Sequence, residues 1–161
     1  MVTFRKMNVE EFQRFREFSI ADYAKDLHID GGFSEEEAAK EAERAFYEPL
    51  PDGPDTANEH VLMIEDVKSG KDVGWIWYAY ETDGDEKLVF LSDFLIFEEN
   101  RRRGYATAAL AEMERRAKAD GYDQSALCVW DHNEAGIALY RKCGYALAER
   151  GEGGSFLKKN L

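Results

Sequence analysis

Three arginines, Arg101, Arg102 and Arg103, run directly into Gly104, Tyr105, Ala106 and Thr107, where an apolar stretch gives way to an amphipathic one. Guanidinium groups match phosphate oxygens, and a helix start presents backbone N–H groups without partners, together with partial positive charge. The small residues Gly104 and Ala106 let an anion come close to the main chain. Residues 101–107 therefore have the composition of a diphosphate site. Asp93 is a carboxylate in the middle of the apolar run Leu88 to Phe97, where burial without a partner would raise its pKa and make it a proton acceptor. An ion-paired structural acid is the other reading of that residue. Glu98 and Glu99 at the end of the run are second choices for a base, although acids beside arginines commonly pair with them.

The elements that must position these groups follow from periodicity and turn chemistry. Val2 to Lys6 reads as a short strand, and Asn8 with Glu11 forms a capping-box pattern for a helix from Val9 to about Leu27, with Phe12, Phe15, Ile20 and Tyr23 on its packing side. Ser34 and the acids Glu35, Glu36 and Glu37 start a second helix that runs to Tyr47. His60 to Val67, Val73 to Thr82 and Leu88 to Phe97 are β-rich runs parted by turn sequences, so three antiparallel strands are expected. A helix over Arg103 to Asp120 would bury Ala106, Ala109, Leu110, Met113 and Ala117 and stop at Gly121. Ser125 to Trp130 is the next strand. A crossover of that length makes it a parallel neighbour of Leu88 to Phe97, so the sheet should be mixed. A helix from Asn133 to Cys143 and strands Tyr145 to Arg150 and Ser155 to Lys159 complete the chain. Trp75 and Trp77 alternate with Tyr78 and Tyr80, which sends the two pairs to opposite faces.

Composition narrows the function classes. A chain of 161 residues with 44% hydrophobic residues reads as one ordered domain. Its 33 acidic and 21 basic residues leave a net charge of −12, which disfavours nucleic acid or an anionic membrane as partner and either attracts cationic small molecules or basic peptides or simply keeps the chain in solution. Two cysteines in apolar settings and no metal-ligand spacing point away from a disulfide framework or a metal centre. With no signal-like core at its start and no apolar run of membrane-spanning length, the sequence reads as a cytoplasmic protein.

Two motifs then stand in the order found in one family. Arg101-x-x-Gly104-x-Ala106 resembles the acyl-CoA diphosphate loop of the GNAT superfamily of N-acetyltransferases. Asn133-Glu-Ala-Gly-Ile-Ala-Leu-Tyr140-Arg-Lys-Cys-Gly144-Tyr145 resembles the family's later signature. The likeness is good from about residue 60 to 161. Over residues 8 to 58 it extends only to a helical insertion on the acceptor side, while residues 88–144 match the acetyl-CoA-binding core. The resemblance implies an α/β fold of six to seven strands in a mixed, mostly antiparallel sheet, with a parallel pair that splays around the pantetheine arm.

The same resemblance implies site roles. Main-chain groups of Leu95, Ile96 and Phe97 would pair with pantetheine as an added strand does, and Arg101, Arg102, Arg103, Gly104, Tyr105, Ala106 and Thr107 would hold the diphosphate. Asn133 would contact the coenzyme arm, and Tyr140 would act as general acid toward the departing thiolate. Seven positions apart, these two share one helix face. Each also has a structural reading, Asn133 as a plain N-cap and Tyr140 as a core tyrosine held by its hydroxyl. The implied reaction is acetyl transfer from acetyl-CoA to a primary amine of a small molecule or peptide, with cationic acceptors favoured by the acidic balance. A homodimer is a common arrangement in such proteins. A non-catalytic acyl-CoA sensor is the rival from another class. A nucleotide-binding protein is less compatible, because the chain lacks Gly-x-x-x-x-Gly-Lys-Ser/Thr and Gly-x-Gly-x-x-Gly. His132 beside Asn133 reads as an exposed loop residue.

Overall fold

In the computed structural model, which describes residues 1–161, β-rich runs joined by short turns set the first half of a seven-stranded sheet. Strands β1 (Val2–Lys6), β2 (Glu59–Asp66), β3 (Asp72–Asp83) and β4 (Glu86–Ile96) pair antiparallel in that order. Helices α1 (Val9–Ile29) and α2 (Glu35–Tyr47) lie between β1 and β2 in the chain. Helix α3 (Tyr105–Ala119) carries the chain to β5 (Gln124–Trp130), which runs parallel to β4. Helix α4 (Glu134–Lys142) and the hairpin of β6 (Ala146–Arg150) and β7 (Gly154–Asn160) follow. The sheet order is β1-β2-β3-β4-β5-β7-β6, with β4–β5 its one parallel pair, as the sequence leads one to expect.

Both expected helix starts are present. Asn8 Oδ1 accepts from the Glu11 N–H at 2.8 Å while Glu11 returns a bond to the Asn8 N–H at 2.9 Å, and Ser34 with Glu37 repeats the arrangement. Helix α3 begins at Tyr105, two residues later than periodicity suggests. Arg102 and Gly104 have φ of 61° and 83°, a left-handed conformation that a right-handed helix cannot include.

The sheet separates two cores. On one face Ile76, Tyr78, Val89 and Leu91 pack against Ala109, Leu110, Met113 and Ala117 of α3. On the other, Phe15 of α1 and Phe46 of α2 meet Trp75 and Trp77 edge to face, with ring centroids 5.5 to 6.2 Å apart. A bulge in β4 controls which residue faces which core. Trp77 pairs with Asp93 but its neighbour Tyr78 pairs with Leu91, so Ser92 is an extra residue. Leu91 consequently joins the α3 side, whereas Asp93 turns toward α1 with Leu95 and Phe97.

Pairing of β4 with β5 covers only Leu88–Leu91 against Gln124–Leu127. Both strands continue past that point, β4 to Ile96 and β5 to Trp130, without bonding to each other. The sheet is therefore split on the C-terminal side of its parallel pair, the place where open α/β sheets bind ligands.

Candidate active site

The split opens into a cavity of about 730 Å³, within the range of small-molecule sites. Ser92, Asp93 and Phe94 of β4 form one wall and Cys128, Val129 and Trp130 of β5 another. Helix α4 contributes Asn133 and Tyr140, α1 contributes Ser19, Asp22, Tyr23 and Asp26, and β3 contributes Trp77 and Glu81. The two residues assigned chemical roles from sequence, Asp93 and Tyr140, thus line one cavity although they lie on different elements.

Asp93 is held by the Ser19 hydroxyl, which donates to its Oδ2. Burial pushes the Asp93 carboxyl up to about 6, against the lowering effect of the Ser19 hydroxyl and the Phe94 N–H; Asp22 and Asp26 add like-charge repulsion. No arginine, lysine or histidine pairs with it, so the ion-paired reading of this residue does not hold. A carboxylate with this pKa is ionised at neutral pH yet basic enough to accept a proton.

Tyr140 is pushed up to about 12 by burial and by the charge of Asp93. Its hydroxyl has no hydrogen-bond partner in the protein and the residue lines the cavity, whereas the neighbouring Tyr145 ring, 6.0 Å away, has its hydroxyl fixed 2.6 Å from Ser125 Oγ. The anchored core tyrosine is therefore Tyr145, and Tyr140 keeps its proton available. Asn133 caps α4, with its Oδ1 accepting from the Gly136 N–H at 2.9 Å, and its side chain also lines the cavity. The N-cap reading of Asn133 holds, and the cap sits at the cavity wall.

The N-terminus of α3 has no side-chain cap, and the first intrahelical bond runs from the Ala108 N–H to the Gly104 carbonyl. The N–H groups of Tyr105, Ala106 and Thr107 accordingly point out of the helix end. Arg101, Arg102 and Arg103 are exposed and no carboxylate lies within salt-bridge distance of them. Arg101 Nε instead donates to the Ile96 carbonyl at 2.9 Å, tying the loop to the end of β4. The half-buried Leu95 and Phe97 side chains pack with Trp75 and its neighbours. A Cβ at Gly74 would lie 2.1 Å from the Leu95 carbonyl oxygen, so this glycine lets β3 approach β4 closely at that point. Leu95 to Phe97 and residues 101–107 do not line the cavity; they belong to a separate surface reached along β4. Glu98 and Glu99, the second choices for a base, are exposed and outside the cavity as well.

Sequence reading missed Ser19, which α1 buries on its packing face between Phe15 and Asp22. Its signal was a polar residue four positions after a core phenylalanine, which looks like an interruption until Asp93 is seen opposite. His132 has a fixed place rather than a free one. Its ring bridges Asp26 at 2.8 Å and Asp30 at 2.6 Å, and these partners raise its pKa, Asp30 most. The ring ties the loop before α4 to the end of α1.

Residues 18–145 match the profile of the Acetyltransferase (GNAT) family. YdgE of Bacillus subtilis, named an uncharacterized N-acetyltransferase, is 34% identical over 145 residues, covering 90% of this chain and 92% of its own. The crystal structure of Bacillus subtilis YycN superimposes with a TM-score of 0.86 at 26% identity, over 94% of this chain and 96% of that one. The PaiA N-acetyltransferase of Thermoplasma acidophilum, solved in complex with coenzyme A, shares the fold with a TM-score of 0.72 at 17% identity, over 100% of this chain and 99% of that one.

Proposed function

The chain belongs to the GNAT family of acetyltransferases, and on that premise we propose that it transfers an acetyl group from acetyl-CoA to a primary amine. Acetyl-CoA supplies the acetyl group already activated as a thioester. The uncapped start of α3 and the unpaired arginines fit the diphosphate, and the unpaired edge of β4 fits the pantetheine amides. Coenzyme A in the PaiA complex accords with this reading.

The chain's own groups divide the proton work. Asp93 takes one proton from the incoming ammonium, directly or through water, leaving a neutral amine whose nitrogen forms the new bond to the acetyl carbon. As the carbon–sulfur bond breaks, Tyr140 gives its proton to the sulfur and regains one from the nitrogen through solvent. Asp93 then returns its proton to bulk water, so one proton is released per turnover. The observation that carries the proposal is that Tyr140, whose hydroxyl has no partner in the protein, and the carboxylate Asp93 line one cavity beside the split strands.

The test is calorimetry with coenzyme A and acetyl-CoA, followed by thiol release across a panel of amines. Heat with both ligands and acceptor-dependent thiol release are expected. Well-folded protein that gives no heat with either would refute the assignment.

A further inference from the structure

Resting on the acetyltransferase reading, we propose that the acceptor is a linear alkyl polyamine. Its reacting nitrogen would lie at Asp93 and a second ammonium between Asp22 and Asp26. Seven carboxylates line the cavity, those of Asp22, Asp26, Glu59, Glu81, Asp93, Glu149 and Glu152, and no lysine, arginine or histidine does. Several acids outside the cavity pair with cations. Arg5 takes Glu11 and Asp72, Arg116 takes Glu112, Lys159 takes Glu114 and Arg150 takes Asp131. In the cavity Asp26 meets only His132 and Glu59 only the Trp77 indole, while Asp22, Glu81, Glu149 and Glu152 have no side-chain donor. A site that concentrates unpaired negative charge in a partly enclosed space is complementary to more than one positive charge.

The arrangement along α1 sets the shape of that ligand. Ser19, Asp22, Tyr23 and Asp26 recur with helical spacing and all line the cavity. Because Ser19 bonds Asp93, Asp22 and Asp26 lie farther along the helix axis from the reacting position by about 4.5 and 10.5 Å. The cavity walls beside these charges are partly aromatic: Tyr23, between Asp22 and Asp26 in α1, has its ring centroid 6.3 Å from that of Trp130, and Trp77, the strand partner of Asp93, has its centroid 5.6 Å from that of Phe46. Carboxylates alternating with apolar surface along a line match ammonium groups alternating with methylene runs. A single-ended amine would satisfy one carboxylate and leave the others uncompensated. Burial, then crowding by Asp22, raises the Asp26 carboxyl, and burial with Glu81 raises that of Glu59. Bound ammonium groups would relieve that repulsion.

The experiment compares kcat/KM for 1,4-diaminobutane and N-(3-aminopropyl)-1,4-diaminobutane with that for n-butylamine and a lysine-containing peptide, at fixed acetyl-CoA. The diamine and triamine should exceed n-butylamine by about tenfold or more, mainly through KM, as expected for an added charge pair in a partly buried site. Asp22→Asn combined with Asp26→Asn should bring that ratio close to one. Asp22→Asn alone, at a side chain with no hydrogen-bond partner, should reduce the ratio in the same direction and serves if the double variant melts early. Equal or better use of n-butylamine or the peptide, or a ratio unchanged by the substitutions, overturns the polyamine assignment. If acetyl-CoA heat persists in that case, the transferase reading survives it; loss of acetyl-CoA binding in the wild type removes both.

Discussion

The surface proposed for the coenzyme offers main chain, and the cavity proposed for the acceptor offers side chains. On the former, the open end of α3 and the unpaired edge of β4 present backbone groups, and the side chains nearby either pack away or, like Arg101, brace the loop. On the latter, Ser19, Asp22, Asp26, Trp77 and Asp93 converge from three elements and every contribution depends on side-chain identity. Backbone recognition requires few residue types, chiefly small ones where the main chain must stay accessible, so a short motif suffices. Side-chain recognition can be assembled from any elements that reach the cavity, which leaves the helices free to vary with the acceptor. Tyr140 and Asp93 stand where the two regions meet.

The comparison is most exposed at that junction. Tyr140→Phe should lower kcat by about 10²–10⁴-fold, the range of a lost general acid, with the coenzyme A dissociation constant unchanged by calorimetry. An equal loss of binding would make Tyr140 part of the coenzyme site instead. Gly104→Val should act in the opposite way. A β-branched residue at φ 83° costs roughly 1–2 kcal/mol of backbone strain and crowds the anion, so coenzyme A affinity should fall by about tenfold or more. Acceptor KM should change little once acetyl-CoA is saturating.

Smaller effects sharpen the acceptor side. If ionised Asp93 is the base, log kcat/KM should fall as pH drops below about 6, because protonation removes the accepting form, and Asp93→Asn should abolish that limb. Ser19→Ala removes a hydroxyl that lowers the Asp93 pKa, so the limb should move to higher pH with only a several-fold rate change at neutrality. An unmoved limb would show that Ser19 only fills space. Asn8→Ala, far from either ligand, should cost about 0.5–2 kcal/mol in thermal unfolding through loss of the α1 cap, without altering coenzyme A affinity.

Much of the architecture was legible because its signals are local. Capping boxes at Asn8 and Ser34, turn sequences between strands, and the Arg-Gly loop each depend on residues within a few positions of one another. The α3 start was misplaced by two residues because periodicity does not register the left-handed conformation of Gly104. The bulge at Ser92 had no sequence signal. Had Ser92 kept its place in a regular ladder, simple alternation would put Leu91 on the same face as Asp93. His132 illustrates the same limit, since its two aspartate partners lie more than a hundred positions earlier in the chain.

By itself the sequence determined the family, the order of elements and the residue types available for phosphate and proton chemistry, since these follow from short-range pattern and composition. Only the tertiary structure decided that Ser19 meets Asp93, that Tyr140 rather than Tyr145 has a free hydroxyl, and that seven carboxylates share one cavity whose lining holds no lysine, arginine or histidine, only Asp26 reaching a histidine beyond it. The reason is that proximity across a sheet is set by register, helix packing and one bulge, and each of these couples residues too distant in the chain for a local pattern to link them.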